Sequence, residues 1–342
     1  MKLTVGIWLL AAAAAPALPE SAPKPIPHPR VLIAEADAVR IPKLQEAAPS
    51  ATFLIVRPNA VPPTNADAAL GVCNEAILKT SPRLRWVQVM ATGADACLSV
   101  PGVRERALTI TAMQGTATAA TADHVLAFIL MHARAMPRFA ERQQQRQWNR
   151  DSQATAGLQA LEGKTLLVVG LGKIGTAVAE RAHAFGMTVV GIRSAPGEGP
   201  SFVSHVGGPA ELKELAPQAD YIVNALPLTE DTRGIFNAGF FGVVKRGAFF
   251  VNIGRGESVV TDDLVAALRD GRLGGAGVDV VTPSPLPSDH PLWSLPGVII
   301  SPAIAGYSDD LWDRRWSLVG ENLRRFVQGQ PLMQVIDQQR GY

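Results

Sequence analysis

Gly170, Gly172 and Gly175 stand in G-x-G-x-x-G spacing. An apolar run over 166–169 precedes them, and Ile174, Val178, Ala182 and Phe185 recur at helical intervals behind them. In a strand–turn–helix setting each glycine has a task. Gly170 permits the tight turn, Gly172 lets the backbone approach a pyrophosphate, and Gly175 lets the helix close on the strand. The helix N-terminus then turns unpaired N–H groups and the positive end of its dipole toward the phosphates.

Other residues of reactive type are sparse. His124 and His132 fall on a helical stretch over 121–138, with Thr121 as its N-cap, and read as packing or surface residues rather than ligands. Cys73 and Cys97 are the 2 cysteines and lack C-x-x-C spacing, so no metal site is expected. They read as free buried thiols, with pairing open to them if the chain is exported. The turn at Thr92 and Gly93 follows a strand over 84–89, at the end where open α/β sheets bind ligands.

The elements that position these residues alternate. Strands are expected over 30–34, 53–56, 68–71, 84–89 and 108–111, then over 166–169, 188–192, 221–225, 247–253, 276–281 and 298–301, with helical segments between. Thr261 is expected to cap one of these helices. This pattern predicts an α/β protein of two doubly wound parallel sheets. With 342 residues there is length for two cores, and 47% hydrophobic against 18% charged residues indicates a globular chain. A net charge of +2 without a Lys/Arg run argues against nucleic acid as a partner. Trp148 projects from a polar stretch over 141–150 and is a candidate anchor for a subunit contact.

Lys2, an apolar run over 3–15 and the small residues Ala15-Pro16-Ala17 read as a secretory signal peptide, too short to favour a membrane span. A proline-rich linker over 16–29 follows. The expected location is therefore outside the cytoplasm if the leader functions, and cytoplasmic otherwise.

Taken in order, several motifs resemble the D-isomer-specific 2-hydroxyacid dehydrogenase family, especially its glyoxylate/hydroxypyruvate reductase branch. They are Gly170-Leu171-Gly172-Lys173-Ile174-Gly175, Leu226-Pro227-Leu228-Thr229, Asn252-Ile253-Gly254-Arg255-Gly256, Gly277-Val278-Asp279-Val280 and Ile304-Ala305-Gly306-Tyr307. The resemblance implies a flavodoxin-like substrate domain over 30–120 and 303–342, a Rossmann dinucleotide-binding domain over 121–302 that includes the inter-domain helix, and a homodimer. It implies that Arg255 holds a substrate carboxylate, for which a planar guanidinium fork is suited. It implies further that Leu171, Lys173, Ile174, Leu226, Pro227, Ile253, Gly254 and Asp279 border the cofactor, and that the Thr92-Gly93 turn borders the substrate.

The family's acid is a histidine held by a glutamate. Here Ala303 and Ser284 occupy those places, so neither group of the pair is present. Tyr307 and His290 are the nearest replacements by sequence. At the end of the strand over 188–192 no carboxylate waits for a ribose hydroxyl. Arg193 and Ser194 stand there instead, which favours NADP(H) over NAD(H). Two readings follow: an oxidoreductase of small 2-oxo or 2-hydroxy acids, and a catalytically silent exported dinucleotide-binding or interaction protein of the same fold.

Overall fold

The computed structural model describes residues 24–342 apart from Pro196 and Glu198, so the expected signal peptide lies outside the described residues. Strands β1 (Arg30–Ala34), β2 (Thr52–Val56), β3 (Ala68–Leu70), β4 (Trp86–Gln88) and β5 (Thr109–Thr111) form a parallel sheet in the order β2-β1-β3-β4-β5. Apolar runs such as VLI in β1 suit strands covered on both faces. One face packs Leu32, Ile77, Val87 and Ile110 together. The other packs Val31, Ile33 and Trp86 against Trp316, Val319, Leu323 and Phe326, all on the helix Leu311–Gln328.

The second parallel sheet comprises β6 (Thr165–Val169), β7 (Thr188–Ile192), β8 (His205–Gly207), β9 (Tyr221–Asn224), β10 (Ala248–Asn252), β11 (Leu273–Val278) and β12 (Val298–Ile300), in the order β12-β11-β10-β9-β6-β7-β8. The strand order reverses between β6 and β9. A crevice opens at such a switch point, outside the carboxyl ends of the strands. The glycine turn leaves β6 there. β8 was not foreseen, because its HVG carries too little apolar pattern to mark an edge strand.

Several local expectations change. The cysteines are not free thiols: Cys73 and Cys97 form a disulfide, with Cα atoms 5.5 Å apart. Parallel pairing of β3 and β4 sets their following segments side by side, and this brings the two residues together across a separation of 24. The long helix spans Thr118–Ala133, so Thr121 lies inside it and donates its hydroxyl back to the Ala117 carbonyl at 2.8 Å rather than capping. The chain breaks at Ala135 (φ 49°) and resumes as Met136–Gln144, with a proline in its first turn that cannot continue the preceding helix. Thr261 likewise opens its helix from the first helical position and donates to the Thr282 carbonyl. Phe185 falls just past the helix Lys173–Ala184 and is exposed, while Val178 and Ala182 are buried.

His132 is a packing residue. Its ring stacks on Phe249 with centroids 4.1 Å apart, and burial pulls its pKa down from 6.5 to about 4. Below pH ~6.5 the unfolded chain takes up this proton, whereas the folded chain resists until about pH 4, so stability falls across that window as pH drops. We expect His132→Leu to reduce the acid sensitivity by on the order of 2–3 kcal/mol, read from urea unfolding at the two ends of the window. An unchanged pH dependence would show that His132 is not the titrating group.

Candidate active site

Two buried side-chain amides organise the switch point. Asn224 ends β9 and Asn252 ends β10, paired in register. Asn224 Nδ2 donates to Asn252 Oδ1 at 2.8 Å. Asn224 Oδ1 accepts from the Leu226 N–H at 3.0 Å, and Asn252 Oδ1 also accepts from the Gly254 N–H at 3.2 Å. Asn252 Nδ2 donates to the Arg255 and Val280 carbonyls at 3.2 and 3.0 Å. The loops after β9, β10 and β11 are thus tied through one polar network inside an apolar sheet. Asn224 was missed in the sequence. Its signal was an amide closing the apolar run Tyr-Ile-Val.

The glycine turn abuts this network. Gly170 (φ 105°) lies so close to Ala225 that a Cβ would sit 2.8 Å from its carbonyl. A Cβ on Gly175 would lie 2.0 Å from the Gly170 oxygen, which fixes the close approach of helix to strand. At Gly172 a Cβ would meet nothing within 4 Å, and no side chain caps the helix that begins at Lys173. An uncapped helix end facing open space beside a close-packed turn fits a dinucleotide pyrophosphate. Leu171 lies over Gly191 of β7, where a Cβ would be 1.9 Å from its side chain. Arg193, just beyond β7, donates its Nε–H to the Ala195 carbonyl.

Arg255 crosses from this sheet to the turn after β4. Its Nη2 and Nε donate to Asp95 Oδ1 at 2.9 and 3.3 Å, and its Nη1 donates to the Gly254 carbonyl at 2.9 Å. A guanidinium has five N–H groups. These contacts leave one N–H on each terminal nitrogen, the pair that a carboxylate accepts in a bidentate fashion. Gly93 supports the arrangement, because a Cβ there would fall 1.8 Å from Nη2. Asp95 was not singled out as a site residue in the sequence, although it belongs to the expected turn. Thr92, Gly93, Lys173, Ile174, Leu226, Pro227, Ile253, Gly254 and Arg255 line one cleft, together with Gly341 and Tyr342, which the sequence did not flag.

Asp279 occupies a different niche. Its Oδ1 accepts from the Ser301 hydroxyl at 2.6 Å and the Ile304 N–H at 2.9 Å, and its Oδ2 accepts from the Ala305 N–H at 3.0 Å. The carboxylate therefore holds the loop that carries Ala303. His124 Nε2 lies 2.8 Å from Ser301 Oγ. Since the serine proton goes to Asp279, His124 is the donor and its Nε2 carries hydrogen. His124 thus extends a chain that reaches the loop, a role its sequence position did not reveal. Ala303 is exposed with φ 57°, and Ser284 is also exposed. His290 lines a separate cavity beside Asp262 and Arg269 and accepts the Leu292 N–H at 3.3 Å. Tyr307 is 60% exposed and does not line the cleft. No histidine lines the cleft among the described residues, nor do they include a cluster able to hold a metal ion.

The sequence model of the D-isomer specific 2-hydroxyacid dehydrogenase NAD binding domain matches residues 126–305. The chain belongs to this family. Among curated relatives, it is 33% identical over 257 residues to glyoxylate/hydroxypyruvate reductase B of Citrobacter koseri, covering 75% of this chain and 79% of that one. Among solved structures, a D-isomer specific 2-hydroxyacid dehydrogenase from Xanthobacter autotrophicus Py2, in complex with NADPH and MES, superposes with a TM-score of 0.80. That pair is 27% identical, covering 92% of this chain and 99% of that chain. An NADPH-dependent glyoxylate/hydroxypyruvate reductase from Sinorhizobium meliloti, in complex with NADP and sulfate, is 26% identical with a TM-score of 0.76, covering 92% and 100%. Within this chain the glycine turn, the Arg255 motif and the Asp279 stretch all fall in the matched NAD-binding region.

Asn224→Leu should lower the stability of this arrangement by about 2–3 kcal/mol in urea unfolding, because it strips the Leu226 N–H of its acceptor and Asn252 Oδ1 of a donor. A loss under about 0.5 kcal/mol would show that the loops do not depend on the amide pair.

Proposed function

We propose that the chain is an NADP(H)-preferring oxidoreductase that reduces small 2-oxo acids to 2-hydroxy acids. The observation that carries this reading is the Arg255 fork, with an N–H left on each terminal nitrogen, in the same cleft as Lys173 and Ile174, which open the uncapped helix after the glycine turn. Gly170 to Gly175 cradle the pyrophosphate. Leu226, Pro227, Ile253 and Gly254 form the wall along the nicotinamide half, and Asp279 keeps the adjoining loop in place. Arg193 and Ser194, at the end of β7 where no carboxylate competes, receive a 2′-phosphate. The NADPH and NADP complexes of two structural relatives support that preference.

A bound nicotinamide dinucleotide supplies the hydride. Arg255 holds the substrate carboxylate, and Asp95 orients the guanidinium by occupying its inner edge. Thr92 and Gly93 close the substrate side. With Ala303 and Ser284 in place of the acid pair, the carbonyl oxygen takes its proton from water, and turnover is slow. The second reading, a silent binding protein, is favoured by the same pair and by the lack of a histidine among the described cleft-lining residues. The Cys73–Cys97 disulfide supports an oxidising compartment and hence export. Trp148, 88% exposed beyond the helix Met136–Gln144, supports association with a second copy of the chain.

NADPH oxidation with glyoxylate or hydroxypyruvate tests the reading. The wild type should turn over slowly, with a rate flat between pH about 5.5 and 8. Ala303→His with Ser284→Glu should raise the rate roughly 10²–10⁴-fold and introduce a pH dependence. Binding without turnover in the wild type would select the silent reading. A fast wild-type rate with a histidine-like pH profile would refute the claim that the acid is gone.

A further inference from the structure

The segment that follows the helix Leu311–Gln328 bridges the two sheets. Gly329 (φ 69°) ends the helix, and the chain then runs antiparallel along β5. The Ala112 N–H donates to the Gln334 carbonyl at 3.1 Å, and the Ile336 N–H donates to the Ile110 carbonyl at 2.8 Å. Ile336 is buried in the core of the five-stranded sheet, which anchors the segment there. Asp337 next folds the chain into a tight turn. Its carboxylate accepts the Gln339 and Arg340 N–H groups at 2.9 and 3.1 Å, and its carbonyl accepts the Gly341 N–H at 2.7 Å.

The segment makes three contacts with the part of the chain that carries the seven-stranded sheet. Before the turn, Gln334 Oε1 accepts from Lys173 Nζ at the start of the helix after the glycine turn. Gly341 faces Thr229, where a Cβ would sit 3.8 Å from the methyl. Tyr342 donates its hydroxyl to Ser194 Oγ at 3.1 Å. Gly341 and Tyr342 form part of the cleft wall.

From this we infer that the 329–342 segment is a strap across the dinucleotide cleft and that Tyr342 positions the Ser194 hydroxyl to read the cofactor's 2′-phosphate. This inference rests on the NADP(H) reading above. The pairing of the two hydroxyls carries it. The phenol is the more acidic of the two and donates to Ser194, which leaves the serine proton for an anionic oxygen, and a donor behind a donor strengthens the outer bond. Tyr342 is a positioning residue in this scheme. The anchor on β5 fixes its reach across the cleft, which ties cofactor retention to the relative placement of the two sheets.

Fluorescence titration with NADPH and with NADH tests the inference without turnover. Tyr342→Phe keeps the ring and removes the donor. It should weaken NADPH binding about 10-fold and NADH binding less than about 2-fold. In a Ser194→Ala background the same change should have no further effect on NADPH. Equal weakening of both cofactors, or no change for NADPH, would overturn the proposal. Tighter binding would overturn it too, by making the strap an occluding element. If the wild type binds neither cofactor, the NADP(H) reading itself fails, a result distinct from any of these.

Discussion

The amide pair of Asn224 and Asn252 is the constraint on which the rest of the cleft depends. Both side chains are buried at the ends of adjacent parallel strands, where an unsatisfied amide would cost on the order of 1–3 kcal/mol. Each is satisfied by the other and by the backbone of the loops that leave the sheet. Asn224 is also in register with Val169, the last residue of β6, so one layer of pairing spans the glycine turn, the Leu226-Pro227 loop and the Arg255 loop. Neighbours then approach closely enough to require glycine at Gly170 and Gly175. The phosphate cradle and the guanidinium fork consequently share one rigid frame, although they lie far apart in the chain.

Much of this frame was legible from residue pattern, for identifiable reasons. Buried parallel strands are continuous apolar runs, so the principal strands could be placed within a few residues. The glycine spacing carried its own setting, since a strand before and a helix after it leave little else for three glycines to do. What escaped was whatever depends on encounters between distant segments. His124 looked like an ordinary helix residue until the fold set it beside Ser301, and Asp95 looked like turn chemistry until Arg255 reached it from the other sheet. The disulfide was misread because nothing in the separation of Cys73 and Cys97 reveals that β3 and β4 are neighbours. Thr121 and Thr261 were misplaced as caps because a hydroxyl near a helix start can also bond a carbonyl.

On the proposed function, the cleft keeps the parts that bind and orient, and Ala303 and Ser284 take the places expected for the family's acid and its partner. The loop bearing Ala303 remains pinned by Asp279 through Ser301, Ile304 and Ala305. The backbone at position 303 is thus held in place. A φ of 57° at Ala303 is a conformation that histidine tolerates better than most side chains, so a return to histidine meets no backbone obstacle. Proximity supplies a large part of the barrier reduction in reactions between bound partners. On the proposed function, a 2-oxo acid anchored beside a dinucleotide therefore has a route to product.

The central claim is that cradle and fork act on two ligands at once. Calorimetric titration of oxamate, a non-reacting 2-oxo acid analogue, into the NADPH-saturated protein tests it most directly. The account predicts binding that depends on NADPH and weakens at least about 10-fold in Arg255→Gln, as loss of a charged bidentate contact requires. Oxamate binding of equal strength with and without Arg255 would contradict it.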